Sequence, residues 1–400
     1  MILDLIQSKY TGYKKLAAHK LAMRSHRKRT ERQRRQYEAW KNDTKKLPPD
    51  VIIGANLKFG GIRNHIQAIH RYTSHRCDII PSEKYFPDLN DLTQIIREEL
   101  VTYCPTGVRC IHSHVFPWMM QWGMSAQKHG IRWVHTYHNN YFPDSDSSAV
   151  EPWQQEINDA LLNLAPSADI RLSVAKWQRD EYRENHGIST FYLPNGVDVE
   201  NCDQGRAERF RKKFGLSRYL LYVGRNESVK NPAEFALLAK AMPQRNFVMA
   251  GPGLSAEILR KDYGVEAPEN LQIIGALDHQ GVQDAIAGSD GVIVTSKREG
   301  LPTLILEAMT HQKPIVAPID KGCLEAISHG QYGFAYTLGD IDDLARKVEA
   351  SLKDNSRGKA ARERVLKEYD WRRIAEKLDF IYMEKDLRYV REKLAEWEAN

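Results

Sequence analysis

The stretch GVIVTSKREGLPTLILEAM, residues 291–309, decides the architecture. A short apolar run breaks at Lys297-Arg298-Glu299, turns through Gly300-Leu301-Pro302, and resumes as a helix-forming segment that Pro302 can start as its first residue. This is strand, turn, helix. Outward from it the same alternation repeats. RYLLYVGR (218–225), NFVMAGPG (246–253), LQIIG (271–275) and PIVAP (314–318) read as strands, with helices over Pro232–Met242 and near 280–287. Upstream, VIIGANLKFGG (51–61) is a strand closed by a Gly-Gly turn, and IRNHIQAIHRYT after it has helical apolar spacing. RCIHSHVF, a helix in WMMQWGMSAQKHG, IRWVHTYHN, a helix over Pro152–Leu164, ADIRLSV, a helix over Lys176–His186 and TFYLPNGVD complete that half. Strands alternating with helices predict parallel sheets covered on both faces, and a chain of 400 residues predicts two such domains. The charged stretch 198–217 shows no strand signal and reads as the link.

Charge is unevenly spread. The net charge is +6, but residues 1–49 hold 14 Lys/Arg against 4 Asp/Glu, so the leading segment carries +10 and the rest −4. From Leu16 to Lys46 there is no Gly or Pro, which predicts a long basic helix ended by Pro48-Pro49. The domains expected are therefore a basic helical arm (1–49), an N-terminal Rossmann-like domain (50–205), a C-terminal one (206–370) and a helical tail (371–400). Five cysteines without a CxxC pair predict neither a disulfide framework nor a zinc knuckle. No apolar run of membrane-spanning length and no secretory leader is evident, so a cytoplasmic protein is expected, with peripheral contact at the inner face of a membrane as an option for the arm.

A helix starting at Pro302 aims unpaired N–H groups and a positive dipole end at the carboxyl edge of the sheet, a place for an anionic diphosphate. Glu299 and Glu307 beside such an anion make sense if they face neutral hydroxyls, since a carboxylate accepts two hydrogen bonds from a vicinal diol. Arg225 and Lys230, just past the first strand of the second half, can neutralise the negative charge that builds on a leaving diphosphate. Gly60 and Gly61 let a ligand approach the backbone closely. Asp144-Ser145-Asp146 has the spacing of a metal-binding DxD but reads as a loop feature, and His112 and His114, on one face of a strand, read as packing residues.

SKREGLPTLILEAM resembles the E-x7-E signature of retaining glycosyltransferases of the GT-B fold, family 4. Gly60-Gly61, His138 after VHTY, PNGVD at 194–198, and GR followed by Lys230 agree with that family in order and spacing. The resemblance covers about residues 50–384. It implies an α/β GT-B enzyme, a hexosyltransferase-type transferase of class EC 2.4, with the donor mainly on the C-terminal domain, the acceptor mainly on the N-terminal one, and the tail near Asp370-Trp371 crossing back. Catalytic roles would fall to Glu299, His138, Arg225 and Lys230. Donor binding would fall to Gly60, Gly61, Arg225, Lys230, Glu299, Gly300, Leu301, Pro302, Thr303 and Glu307, with Glu307 on the ribose and His138 on the transferred sugar. No metal or cofactor is expected beyond the nucleotide-sugar substrate. The acceptor implied is a cell-surface glycan or lipid-linked precursor. Modified DNA, reached through the basic arm, is the alternative acceptor; a sugar-nucleotide epimerase, a phosphorylase or a non-catalytic partner are alternative uses of the same fold.

Overall fold

In the computed structural model the described residues are 2–58, 60–138, 140–141, 150–354 and 356–399, with residues 2–19 described by backbone alone. Asp144-Ser145-Asp146 lies outside them.

Two six-stranded, wholly parallel sheets form the frame. The first contains β1 (Val51–Gly54), β2 (Cys77–Ile80), β3 (Cys110–Ser113), β4 (Arg132–Tyr137), β5 (Ile170–Ser173) and β6 (Phe191–Tyr192), in the order β2-β1-β3-β4-β5-β6. The second contains β7 (Leu220–Val223), β8 (Phe247–Ala250), β9 (Leu271–Gly275), β10 (Gly291–Ile293), β11 (Ile315–Pro318) and β12 (Phe334–Tyr336), in the order β12-β11-β10-β7-β8-β9. Each order reverses once, between β1 and β3 and between β7 and β10. Connections leaving the two strands at such a point diverge to opposite faces and open a crevice beyond their carboxyl ends.

Alternation of side chains builds a core on each face of each sheet. In β1, Val51 and Ile53 pack with Ile66 and Ile69 of the helix Gly61–Tyr72, whereas Ile52 packs on the opposite side with Trp122. Leu221 and Val292 lie with Ile305, and Leu220 and Ile293 with Phe235 on the other face. The stretch expected to be a link forms two helices, Val199–Cys202 and Ala207–Phe214, the second anchored by buried Phe210. Helices Trp371–Met383 and Leu387–Ala399 pack Ile374, Leu378, Ile381, Val390 and Leu394 into the core of the first sheet. The tail thus lies against the first domain after passing through the second. β2 and β12, not recognised in the sequence, are edge strands of three or four residues.

The basic segment is a single helix, Ile2–Lys46, and it divides in function along its length. Gln33, Tyr37, Trp40 and Thr44 recur at helical spacing and are buried. Trp40 stacks on Tyr37, meets Trp122 edge-on at 6.2 Å, and donates from Nε1 to Asp78 at 3.0 Å. Arg29 and Arg32 close on the buried carboxylate of Asp91, and Arg34 on Glu98. Part of the positive charge is therefore structural, holding the second half of the helix to the first domain. Residues 20–29 are exposed, with Leu21 and Met23 at 70% and 57% of full exposure among Lys20, Arg24, Arg27 and Lys28. Among the described residues, no helix is long and apolar enough to cross a membrane.

Candidate active site

Apart from His138, which follows β4, the residues singled out in the sequence lie beyond the carboxyl ends of strands that flank the two reversals. After β10 the chain enters Lys297-Arg298-Glu299, and after β7 it enters the loop carrying Arg225 and Lys230. Thr295 joins the two loops by donating from Oγ1 to the carbonyls of Lys230 and Asn231, at 3.1 and 2.8 Å. The backbone N–H of Lys297 donates to Val229 at 2.8 Å. So braced, Lys230 Nζ meets Glu299 Oε1 at 2.6 Å, both side chains being largely buried. An ammonium and a carboxylate held together at a helix entrance offer charge to an anion and acceptor oxygens to a hydroxyl from one spot.

The Glu299-Gly300 turn is fixed from below. Asp320 accepts from the backbone N–H groups of Glu299, Gly322 and Cys323, and burial pushes its pKa up. Gly322 is needed here: a methyl group on it would collide with the carbonyl oxygens of Glu299 and Gly300. From the first domain, Trp177 Nε1 donates to the carbonyl of Gly300 at 2.7 Å and Asn195 Nδ2 to that of Leu301 at 3.4 Å. Pro302 stands just ahead of the helix Thr303–Thr310, with extended ψ 109, rather than as its first residue. The backbone there is still leaving the turn.

Thr303 and Glu307 of that helix share a cavity of about 270 Å³ with Gly61, His65, Asn195, Asp198 and Trp371. Both domains contribute, so the crevice is real in the folded chain. Burial raises the Glu307 carboxyl to about pKa 7, a rise that the Gln283 amide opposes and the Asp198 charge reinforces. Gly60 caps the helix Gly61–Tyr72 with φ 103, in the region that favours glycine, and a side chain on Gly60 or Gly61 would meet no other group. That open face is what close approach of a ligand requires. Arg225, Lys230 and Glu299 are not among the cavity residues. Arg225 pairs with Glu227 at 2.9 Å and its charge reaches Tyr141 of the first domain.

His138 is buried rather than displayed. Its Nε2 lies 3.0 Å from His114 Nδ1, and its carbonyl accepts from Gln178. His112 does behave as a packing residue, bonded to Tyr382 Oη at 2.7 Å and Thr136 Oγ1 at 2.8 Å. His114 does more: with His65 and His138 it brings ring nitrogens within 4.8 Å of one another, a grouping able to ligate a metal. Burial keeps all three pKa values below the ordinary histidine range, and the lone pair of either His114 or His138 is taken up in their mutual hydrogen bond. His65 was missed in the sequence, where nothing local marks one histidine in the second turn of the helix that follows Gly60-Gly61.

Comparison with known proteins agrees with this geometry. Residues 60–201 match the model described as Glycosyltransferase Family 4, and residues 206–369 match Glycosyl transferases group 1. Glycogen synthase of Mycobacterium tuberculosis is 27% identical over 59% of this chain, which spans 56% of that relative's length. The chain is thus matched to little more than half of that curated relative. A sucrose-phosphate synthase from Thermosynechococcus elongatus superposes with a TM-score of 0.65 at 19% identity, covering 83% of this chain and 97% of its own. Anabaena HepE in complex with UDP and glucose gives 0.64 at 18%, covering 82% and 97%. The first model takes in β2 to β6 and the second β7 to β12, and both solved structures share the two-domain frame: this chain belongs to the family 4 glycosyltransferases and has the GT-B fold.

Proposed function

We propose that the chain transfers a sugar from a nucleotide-sugar donor to a hydroxyl acceptor with retention of anomeric configuration. The observation that carries this is the interdomain cavity lined by Thr303 at the helix start and by Glu307, with the Lys230–Glu299 pair held on the turn that leads into the same helix. In this reading Glu307 accepts from the ribose diol, while Glu299 and the backbone from Gly300 through Leu301 and Pro302 to Thr303 hold the sugar and diphosphate. Lys230 and Arg225 offset charge on the departing diphosphate, and Gly60-Gly61 admit the ligand backbone-close. No side chain is assigned as nucleophile; the leaving phosphate takes the acceptor proton. No metal is assigned to the reaction, so activity should survive EDTA. Complete loss restored by a divalent cation would contradict that assignment.

The donor is tested by a thermal-shift and turnover panel of UDP, GDP and ADP sugars, beginning with UDP-glucose because a structural neighbour was solved with UDP and glucose. A true donor raises the melting temperature by mass action and is consumed only when an acceptor is present. If no nucleotide sugar binds, the transferase reading fails; if one is epimerised, or if phosphate cleaves a glycan to a sugar phosphate instead, the alternative enzymes on this fold take its place.

The acceptor we propose is a lipid-linked or cell-surface glycan at an anionic membrane surface. Support comes from the exposed part of the first helix, where Leu21 and Met23 stand among cations. Anionic vesicles should bind the full chain at low salt. Binding to DNA instead, falling steeply with salt, would favour the nucleic-acid acceptor.

A further inference from the structure

We propose that His65 is a sugar-binding residue whose Nε2 lone pair accepts a hydrogen bond from a hydroxyl of the transferred sugar; this rests on the transferase reading above. Asn195 Nδ2 donates to the carbonyl of Leu301, which turns Asn195 Oδ1 toward His65, 2.9 Å from its Nδ1. An amide oxygen only accepts, so His65 Nδ1 must be the protonated nitrogen. A neutral imidazole carries one proton, so with Nδ1 as the donor the other ring nitrogen keeps its lone pair. Nε2 is therefore a bare acceptor. It has no partner among the described residues, although His65 is only 5% exposed, and His114 Nε2 nearby also lacks one.

A buried acceptor without a donor marks a missing occupant. His65 lines the cavity shared with Gly61, Thr303 and Glu307, and its ring is fixed edge-on against Trp371 at 4.9 Å and His138 at 4.8 Å. A diphosphate oxygen cannot fill the place, because an anionic acceptor facing a lone pair is repelled. A sugar hydroxyl fits: it donates to His65 and can in turn accept. The relay through Asn195 ends on Leu301, two residues beyond Glu299, so the hydroxyl belongs on the sugar side of the diphosphate. Asn195 and His65 come from the first domain and Leu301 from the second. The bare nitrogen is thus aimed by a contact between the domains.

The test uses His65→Asn and His65→Gln in the full chain. Asparagine keeps a donor where Nδ1 was and removes the acceptor; glutamine reaches the Nε2 position. Affinities for UDP-glucose and for UDP, or for the pair selected by the donor panel, are measured by calorimetry alongside the melting temperature. We expect His65→Asn to weaken the nucleotide sugar about tenfold, leave the nucleoside diphosphate within about twofold, and His65→Gln to recover most of the loss. Equal loss for both ligands would make His65 structural, and no loss for either would mean that the nitrogen faces only water. One equivalent of tightly held zinc that disappears in His65→Asn would make the cluster a metal site. Each of these overturns the proposal. A wild-type chain that binds neither ligand overturns the transferase reading and this inference with it.

Discussion

Glu307 should make donor affinity depend on pH through neutrality. In the unliganded chain its carboxyl has a pKa of about 7 because it is buried, with Asp198 adding to the rise. The ionised carboxylate is the stronger acceptor and offers both oxygens to the diol, whereas the protonated form carries its own O–H on one of them, so binding favours the ionised form and expels a proton wherever the free enzyme holds one. Affinity should therefore climb as pH rises. With a pKa near 7, about a tenth of free enzyme is ionised at pH 6 and about nine tenths at pH 8, a tenfold difference worth about 1.4 kcal/mol. The assay is calorimetry with the intact nucleotide sugar, whose esterified diphosphate lacks the second phosphate ionisation near pH 6 that a bare diphosphate would add. Glu307→Gln is the control for any other source of pH dependence. It should bind more weakly at pH 8, by roughly 1.5 to 3 kcal/mol for hydrogen bonds to a charged group, and lose the slope. A flat wild-type profile, or a Gln variant that keeps the slope, would refute the assignment of Glu307 to the diol.

The same carboxyl should cost stability above neutrality: the unfolded chain ionises it near 4.5, so stability declines as pH rises from there toward 7, and Glu307→Gln should be the more stable protein at pH 8 by roughly 1 to 3 kcal/mol in denaturant melts. Lys230→Met should lower kcat more than donor affinity, since leaving-group charge is greatest in the transition state; unchanged turnover would reduce the Glu299 pair to a structural contact. Trp40→Ala should destabilise the first domain by about 3 to 5 kcal/mol, as expected for a fully buried Trp, and deletion of residues 1–46 should fail to fold, whereas deletion of 1–28 should keep donor binding and lose vesicle binding. Gly322→Ala should cut turnover by displacing the Glu299-Gly300 turn, measurable as a fall in kcat/KM in a variant that still melts cooperatively.

The sequence by itself determined the alternation of strand and helix, because period and turn residues are local properties. It also placed Glu299, Lys230, Arg225 and Gly60-Gly61 just past strand ends and Glu307 in the helix that follows, because a motif such as EGLPTLILEAM fixes strand, turn and helix within a few residues. It could not say what those side chains touch. That Lys230 pairs with Glu299 while Arg225 turns to Glu227 depends on how Thr295 ties one loop to another 65 residues away. The charge of the first helix was equally legible, but charge does not reveal a docking face. Only the position of Trp122, Tyr103 and Asp91 makes Tyr37, Trp40 and Arg32 part of the fold. His65 shows the limit most plainly, since one histidine in a helix carries no local signal. Its proton is placed by an amide 130 residues away, and that amide is oriented by a carbonyl of the other domain; such a property exists only when the two domains are packed together.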